Sequence, residues 1–375
     1  MTRWFSFRVA LLLTFLTSSV MFTQAAGPSA QAQAQAYLEG IPPMGVPGTS
    51  AAVAVKGLIV FSTGVGFADL ENMVHAGTSS VYNIGSVSKI NTAIAVMQLL
   101  EQGHISLDDP IQKYVPAFPD KGSPITIKHL MTHTAGIRHY RDFEGERSTK
   151  RYTLDEGFAL FKDDPLLFKP GESWFYSSYG VNLLQAVIEK ASSLPFEQYM
   201  TQRVWGPAGM LSTALDVPER VVPNRTKSYE LRRGKLQNYP FTDLSYIYAG
   251  GGMISTAEDL VRLGVALNHG RLLKAYTVAL MYKPYLDPVM RYAANGKPAR
   301  MEFAQGLLWR VFTDAAGRTF VNHCGSVRGA GACLVNYPAE DVVVAIAYNI
   351  LDVGPGRLAA EELAKIFLSS EGISR

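Results

Sequence analysis

The pattern of apolar and polar positions places strands towards both ends of the chain and helices between them. Two apolar runs, 51–55 and 58–61, flank Lys56-Gly57, which predicts a hairpin. A third run, 81–84, leads directly into Gly85-Ser86, and residues 90–100 then carry apolar side chains at helical spacing up to a stop at Gly103. From about 105 to 245 helical patterns dominate, among them 183–191 and 196–204, with connections marked by Pro110, Pro170 and Pro207. Another helix is predicted over 257–267, capped by Ser255-Thr256 with Glu258 and Asp259 in its first turn. Four strand-like runs follow, 303–312, 319–324, 331–337 and 342–348, and an amphipathic helix over 356–368 built on Leu358, Leu363, Ile366 and Phe367 closes the chain. Strands, a long helical region, strands and a last helix predict an α+β fold, an antiparallel sheet flanked by helices with an all-helical region inserted in it. The α/β part covers about 45–85 and 246–370, and the insert about 90–245.

The extreme N-terminus reads differently. Arg3 and Arg8 precede an apolar stretch, 9–16, and the small residues Ala25 and Ala26 end the segment, so residues 1–26 read as a secretory signal peptide. The apolar part is shorter than the ~20 residues a membrane span needs, so no stable membrane anchor is expected. A secreted or periplasmic bacterial protein follows as the expectation. Residues 27–40, with Gln and Ala alternating over 30–36, show no apolar face and read as a flexible spacer, with the folded domain over 41–370.

Composition narrows the function. Lys and Arg number 35 against 32 Asp and Glu, and without Arg3 and Arg8 the balance is 33 against 32. A near-neutral chain with no clustered basic run is not built to hold nucleic acid or anionic lipid. Two cysteines are too few for a disulfide scaffold or a thiolate zinc site. Cys324 and Cys333 would face each other if a hairpin turned at Arg328-Gly329, which leaves a disulfide open in an oxidising periplasm, and free thiols are favoured over it because cross-strand neighbours rarely meet disulfide geometry without strain. His129 and His133 are four apart, but Leu130 stands where a zincin needs glutamate, so a structural role is expected. Gly64-Val65-Gly66 lacks the third glycine of a dinucleotide loop. Neither metal nor organic cofactor is called for.

Candidate chemistry begins at Ser86-Val87-Ser88-Lys89. A single Ser-x-x-Lys arises by chance in a chain this long, but here it follows a strand-like run and a glycine, at the start of a helix where backbone N–H groups point outward. Lys89 lies one turn from Ser86 and reaches its hydroxyl, and a lysine desolvated beneath a helix start keeps a neutral amine able to act as a base. Tyr176-Ser177-Ser178 precedes a predicted helix, and His323-Cys324-Gly325-Ser326 lies on a strand before a glycine-rich turn. Each of these alone is more simply a packing feature.

Together, and in order, the segments Ile84-Gly85-Ser86-Val87-Ser88-Lys89, Leu130-Met131-Thr132-His133-Thr134-Ala135-Gly136, Tyr176-Ser177-Ser178, Gly250-Gly251-Gly252-Met253-Ile254-Ser255 and His323-Cys324-Gly325 resemble the serine beta-lactamase and penicillin-binding-protein superfamily, in its branch of class C beta-lactamases, D-alanyl-D-alanine carboxypeptidases and related esterases. The resemblance runs from about Gly45 to Leu368. Gly136-Ile137-Arg138-His139-Tyr140 and Tyr248-Ala249-Gly250-Gly251-Gly252 look most like its mitochondrial, serine beta-lactamase-like members. It implies the beta-lactamase/transpeptidase-like fold and a serine hydrolase that works through an acyl-enzyme. Ser86 would be the nucleophile, Lys89 its base partner and Tyr176 the proton shuttle to the leaving group, and the Ser86 and Ser326 N–H groups would form the oxyanion hole. His323 occupies the place of a family lysine. Ser178 stands for an asparagine that holds the substrate carbonyl, and Cys324, ahead of Gly325, for a threonine that binds carboxylate. These two departures predict weak or absent beta-lactam hydrolysis, and the histidine in place of lysine at 323 favours a peptide or a small-molecule ester as substrate. The alternative is a catalytically weak relative with a binding or polymer-forming role.

Overall fold

The structure is a computed structural model that describes Met1 and residues 28–141, 144, 149–286, 290–292, 298–300, 302–351 and 355–370. The segment read as a signal peptide lies, apart from Met1, outside the described residues.

An eight-stranded antiparallel sheet organises the molecule. In chain order its strands are β1 (Gly48–Val55), β2 (Leu58–Asp69), β3 (Val74–His75), β4 (Ala304–Gln305), β5 (Arg310–Thr313), β6 (Thr319–Val327), β7 (Ala330–Tyr337) and β8 (Val342–Tyr348). Their spatial order is β4-β5-β6-β7-β8-β1-β2-β3, so strands from the two ends of the chain meet at the centre, with Val53 opposite Val344. Every residue of β1, β7 and β8 is buried, because helices cover both faces. The period-2 alternation sorts the side chains. Val53, Val55, Val344 and Ile346 face one core with α1 (Ala30–Glu39) and the last helix (Gly356–Ser370). Ala52, Ala54, Val343 and Ala345 face the other, with α2 (Ser88–Glu101), the helix Ser178–Ser192 that we call α3 and the helix Ala257–Asn268.

Helices supply most of the regular structure between the two halves, but the inserted region is not all-helical as expected, since long loops join its helices. It also carries a hairpin, Tyr229–Arg232 with Lys235–Asn238, and a three-stranded sheet in which Met253–Ser255 pairs with Tyr82–Asn83 and Ala214–Leu215. The sheet fixes the strand that runs into Ser86. The single strand expected over 303–312 is broken between β4 and β5, where Leu308 takes a positive φ. In the last helix Leu358 is exposed, and the small Ala359, Ala360 and Ala364 take its expected place in the core, since a flat sheet packs close against short side chains.

Two expectations are corrected. The presumed spacer is the helix α1, capped by Ser29, whose Oγ accepts from the Ala32 N–H. Ala30, Ala34 and Leu38 recur every four residues and are buried against the sheet and the last helix, a stripe too narrow to stand out among alanines and glutamines. The cysteines are not free thiols: Cys324 and Cys333 form a disulfide. The turn Arg328-Gly329 has positive φ at both residues, the tight two-residue hairpin turn, with Val327 opposite Ala330. Counting back along the ladder makes Cys324 and Cys333 a close, non-hydrogen-bonded pair with Cα atoms 4.0 Å apart, which brings the sulfurs together. We predict that Leu38→Ala costs about 2–4 kcal/mol in urea unfolding. A change within 0.5 kcal/mol would return α1 to the status of a spacer.

Candidate active site

Strand 82–83 delivers the chain to a short 3-10 turn, Gly85–Val87, which continues into α2. Gly85 has a φ of +49°, and a Cβ there would lie 2.7 Å from the Ser326 nitrogen. A Cβ on Gly325 would run into the Ser86 nitrogen. The two glycines therefore let β6 lie directly against the turn that carries Ser86. The Ser326 N–H belongs to the set that points away from β7, and the Ser86 N–H is among the first of a helical turn, with no acceptor behind it. Two backbone donors thus stand free beside one hydroxyl. Ser86 is partly exposed and Ser326 exposed, so a carbonyl reaches them from solvent.

Lys89 lies on the first turn of α2 and is fully buried. Its Nζ is 3.0 Å from Ser86 Oγ, 2.7 Å from Ser178 Oγ and 2.6 Å from the Gly250 carbonyl oxygen. Among the described residues no carboxylate pairs with it. Burial drives its pKa down, against the opposing pull of Tyr176. The Tyr176 hydroxyl donates to Ser86 Oγ at 2.6 Å, and the Lys89 amine stands 4.7 Å from the Tyr176 ring centre. Burial pushes the Tyr176 phenol up, but the positive charges of Lys89 and Arg310 outweigh it and the net direction is down. Ser86 Oγ thus sits between two groups that both release a proton more readily than usual.

The helix α3 places the next members. Ser177 caps it, accepting from the Gly180 N–H at 2.9 Å, so Ser178 begins the helix with its hydroxyl on Lys89. Its N–H donates to Nδ1 of the His139 ring at 3.2 Å. Gly250 cannot carry a side chain, because a Cβ would come within 3.0 Å of the Ser178 carbonyl oxygen. His323 is buried, and its Nδ1 shares a hydrogen bond with the Cys324 carbonyl at 2.9 Å rather than with the Tyr176 oxygen, their rings lying 6.2 Å apart. Burial, then Arg310 and Lys89, hold its pKa well below the usual histidine value, so it is neutral at physiological pH and no substitute for a lysine charge. His133 is neutral for the same first reason, and His139 is brought down to about 3.

His129 and His133 each have a structural hydrogen bond to the backbone. Each Nδ1 accepts a backbone N–H, from Thr126 and Ser177, at 3.3 Å. The described residues hold no group of three or more potential metal ligands.

Ser86, Lys89, Tyr176, Ser178, His323, Gly325 and Ser326 therefore converge. Sequence reasoning missed three contributors. Gly250 lay within a quoted motif but its carbonyl role was invisible, since a backbone atom carries no residue signature. His139 lay within a quoted segment and its ring acceptor was not foreseen. Arg310 is partly buried on β5, with its guanidinium 5.9 Å from the Tyr176 ring and 5.2 Å from that of Phe303, and no carboxylate pairs with it among the described residues. An arginine inside the apolar run Leu307-Leu308-Trp309-Arg310-Val311-Phe312 was the available signal.

A serine flanked by a buried lysine and a tyrosine, with two backbone donors beside it, defines a serine acyl hydrolase on an α+β fold. The chain belongs to the beta-lactamase family, whose model matches residues 37–367. It is 31% identical to the mitochondrial serine beta-lactamase-like protein LACTB of Homo sapiens, over 83% of this chain and 75% of that protein. It is 29% identical to the putative penicillin-binding protein PbpX of Bacillus subtilis, over 66% of this chain and 61% of that one. Among solved structures, the octameric penicillin-binding protein homologue of Pyrococcus abyssi aligns with a TM-score of 0.76 at 25% identity, over 90% of this chain and 77% of that one. The D-amino acid amidase of Ochrobactrum anthropi aligns in fold at 0.78, with 20% identity, over 91% and 99%. We predict that Gly325→Ala, which forces β6 off Ser86, lowers kcat/KM for an activated ester at least tenfold while thermal unfolding stays cooperative. An unchanged kcat/KM would show that this close approach is dispensable.

Proposed function

We propose that the protein is an exported serine hydrolase that opens an amide or ester carbonyl through an acyl-enzyme on Ser86. The observation that carries the reading is the position of Ser86 Oγ, 2.6 Å from the Tyr176 hydroxyl and 3.0 Å from Lys89 Nζ. In the first half-reaction Ser86 Oγ bonds to the carbonyl carbon and its proton passes to the neutral amine of Lys89. The carbonyl oxygen gains the negative charge and lies against the Ser86 and Ser326 N–H groups. Tyr176 then gives its proton to the departing nitrogen or oxygen as the carbonyl reforms and that bond breaks. Lys89 returns the proton to Tyr176. In the second half-reaction a water attacks the ester, its proton goes to the same pair, and Ser86 leaves protonated.

The substrate is a small ester or a peptide rather than a beta-lactam. Ser178 Oγ accepts from Lys89 and its hydroxyl is shorter than the asparagine amide it replaces, and Cys324 is tied up in a disulfide, so the contacts a lactam's side chain and carboxylate would use are weakened. Arg310, beside Tyr176 and without a carboxylate partner among the described residues, supplies a positive charge on the leaving-group side. Export rests on the leader-like N-terminus, and the disulfide suits an oxidising compartment.

Fluorophosphonate should label the protein at Ser86, and Ser86→Ala should abolish labelling with the circular dichroism intact. Retained labelling would sink the assignment. Lys89→Met should slow acylation about 10²- to 10⁴-fold. The pH profile follows from the directions above. A base with a lowered pKa is free over more of the pH range, so kcat/KM should rise with pH and level off with a midpoint below the ordinary lysine value of 10.5. No further inflection from His323 is expected near 6.5, since it is already neutral there.

A further inference from the structure

One concave feature that the chemistry above does not use is lined by residues close in sequence to Ser86 and Ser326. It is a cavity of about 480 Å³, within the range of small-ligand sites, lined by Asn83, Arg220, Arg225, Arg328, Tyr239 and Phe241 among others. Three arginines line it and no aspartate or glutamate does, among the described residues.

Asp216 lies behind this wall, fully buried. Its carboxylate accepts from Arg225 Nη1 at 2.6 Å, from Arg328 Nη1 and from Asn83 Nδ2 at 2.8 Å. One carboxylate therefore serves two guanidinium groups. Arg328 is itself buried, and its Nη2 has no hydrogen-bond partner among the described residues. Arg220 is paired with Glu197 at 2.6 Å and is more exposed. The cavity is left with about one uncompensated positive charge. Phe241, half-exposed, lies over the Arg328 guanidinium at 5.0 Å, and Tyr239 lies against the Arg328-Gly329 turn. Cation and aromatic surface together suit an anion carried on an apolar chain.

Its place in the chain ties it to the active site. Asn83 is three residues before Ser86, at most about 11 Å of extended backbone, and Arg328 is two residues beyond Ser326, at most about 7 Å. The two segments that supply the oxyanion donors therefore run directly into the cavity wall. None of the ring neighbours of Tyr176, which mark the leaving-group side, lines it.

We propose that this cavity is a subsite for the acyl part of the substrate and selects an acyl chain that ends in an anionic group, a carboxylate in the first instance. The proposal rests on the acyl-enzyme reading given above.

The test compares mono-p-nitrophenyl suberate with p-nitrophenyl octanoate, which share a leaving group and differ in carboxylate against methyl at the chain end. The suberate ester should have the higher kcat/KM, by about tenfold, as one charge-assisted contact supplies. In Arg225→Gln the ratio should fall to about one, and Arg225→Lys, which keeps the charge, should retain a preference. Should Arg225→Gln fail to fold, Arg220→Gln, at the rim, should reduce the ratio in the same direction. Turnover of both esters at equal kcat/KM by the wild-type protein, or an undiminished preference in the glutamine variants, would overturn the subsite. Calorimetric titration with free suberate separates the two readings. Binding weakened by Arg225→Gln, without ester turnover, would keep the subsite and remove the hydrolase; no binding together with octanoate turnover would do the opposite.

Discussion

Lys89 is buried to zero exposure with three oxygens around its nitrogen and no carboxylate beside it among the described residues. An ammonium in that position is penalised by desolvation and is repaid only by neutral dipoles and by Tyr176. The elements around it converge for this reason. The helix α2 brings the amine, the first residue of α3 brings the Ser178 hydroxyl, and the glycine segment 250–252 brings the Gly250 carbonyl, 2.6 Å from the amine. Three remote stretches of chain must be held within hydrogen-bond reach of one atom. The small sheet that anchors strand 82–83 and the buried length of α2 supply that rigidity.

The charge balance of the surroundings follows from the same burial. Arg310 and Lys89 both stand near the Tyr176 ring, and together they lower the phenol against the effect of burial. Burial first, and neighbouring cations second, keep the imidazoles of His133, His139 and His323 uncharged. They pack against the tyrosine as rings and accept or share backbone hydrogen bonds. A cationic site with neutral walls favours the negative charge that develops on an attacked carbonyl.

Much of this was legible from residues. Continuous apolar runs at 51–55 and 342–348 and the turn residues Lys56-Gly57 and Arg328-Gly329 announce a sheet buried on both faces, and the ordered motifs announce which residues converge at the site. What escaped notice has physical causes. The helix α1 buries alanines, whose apolar signal is weak, and so it read as a spacer. A turn at Arg328-Gly329 already sets Cys324 opposite Cys333, and what the residues did not show is that this pair is a close, non-hydrogen-bonded one, with Cα atoms 4.0 Å apart, which lets the sulfurs meet. Arg310 acts across the sheet from Tyr176, 134 positions away (310 − 176), and no local pattern connects them.

The proposed role of Lys89 as a base depends on its burial with no carboxylate beside it among the described residues. Nitrogen NMR of protein labelled with 15Nζ-lysine, with the Lys89 resonance assigned by its loss in Lys89→Met, reads that claim directly. The account predicts that Lys89 titrates clearly below the ordinary lysine value of 10.5, apart from the surface lysines. A Lys89 that titrates with them, or above them, would contradict it.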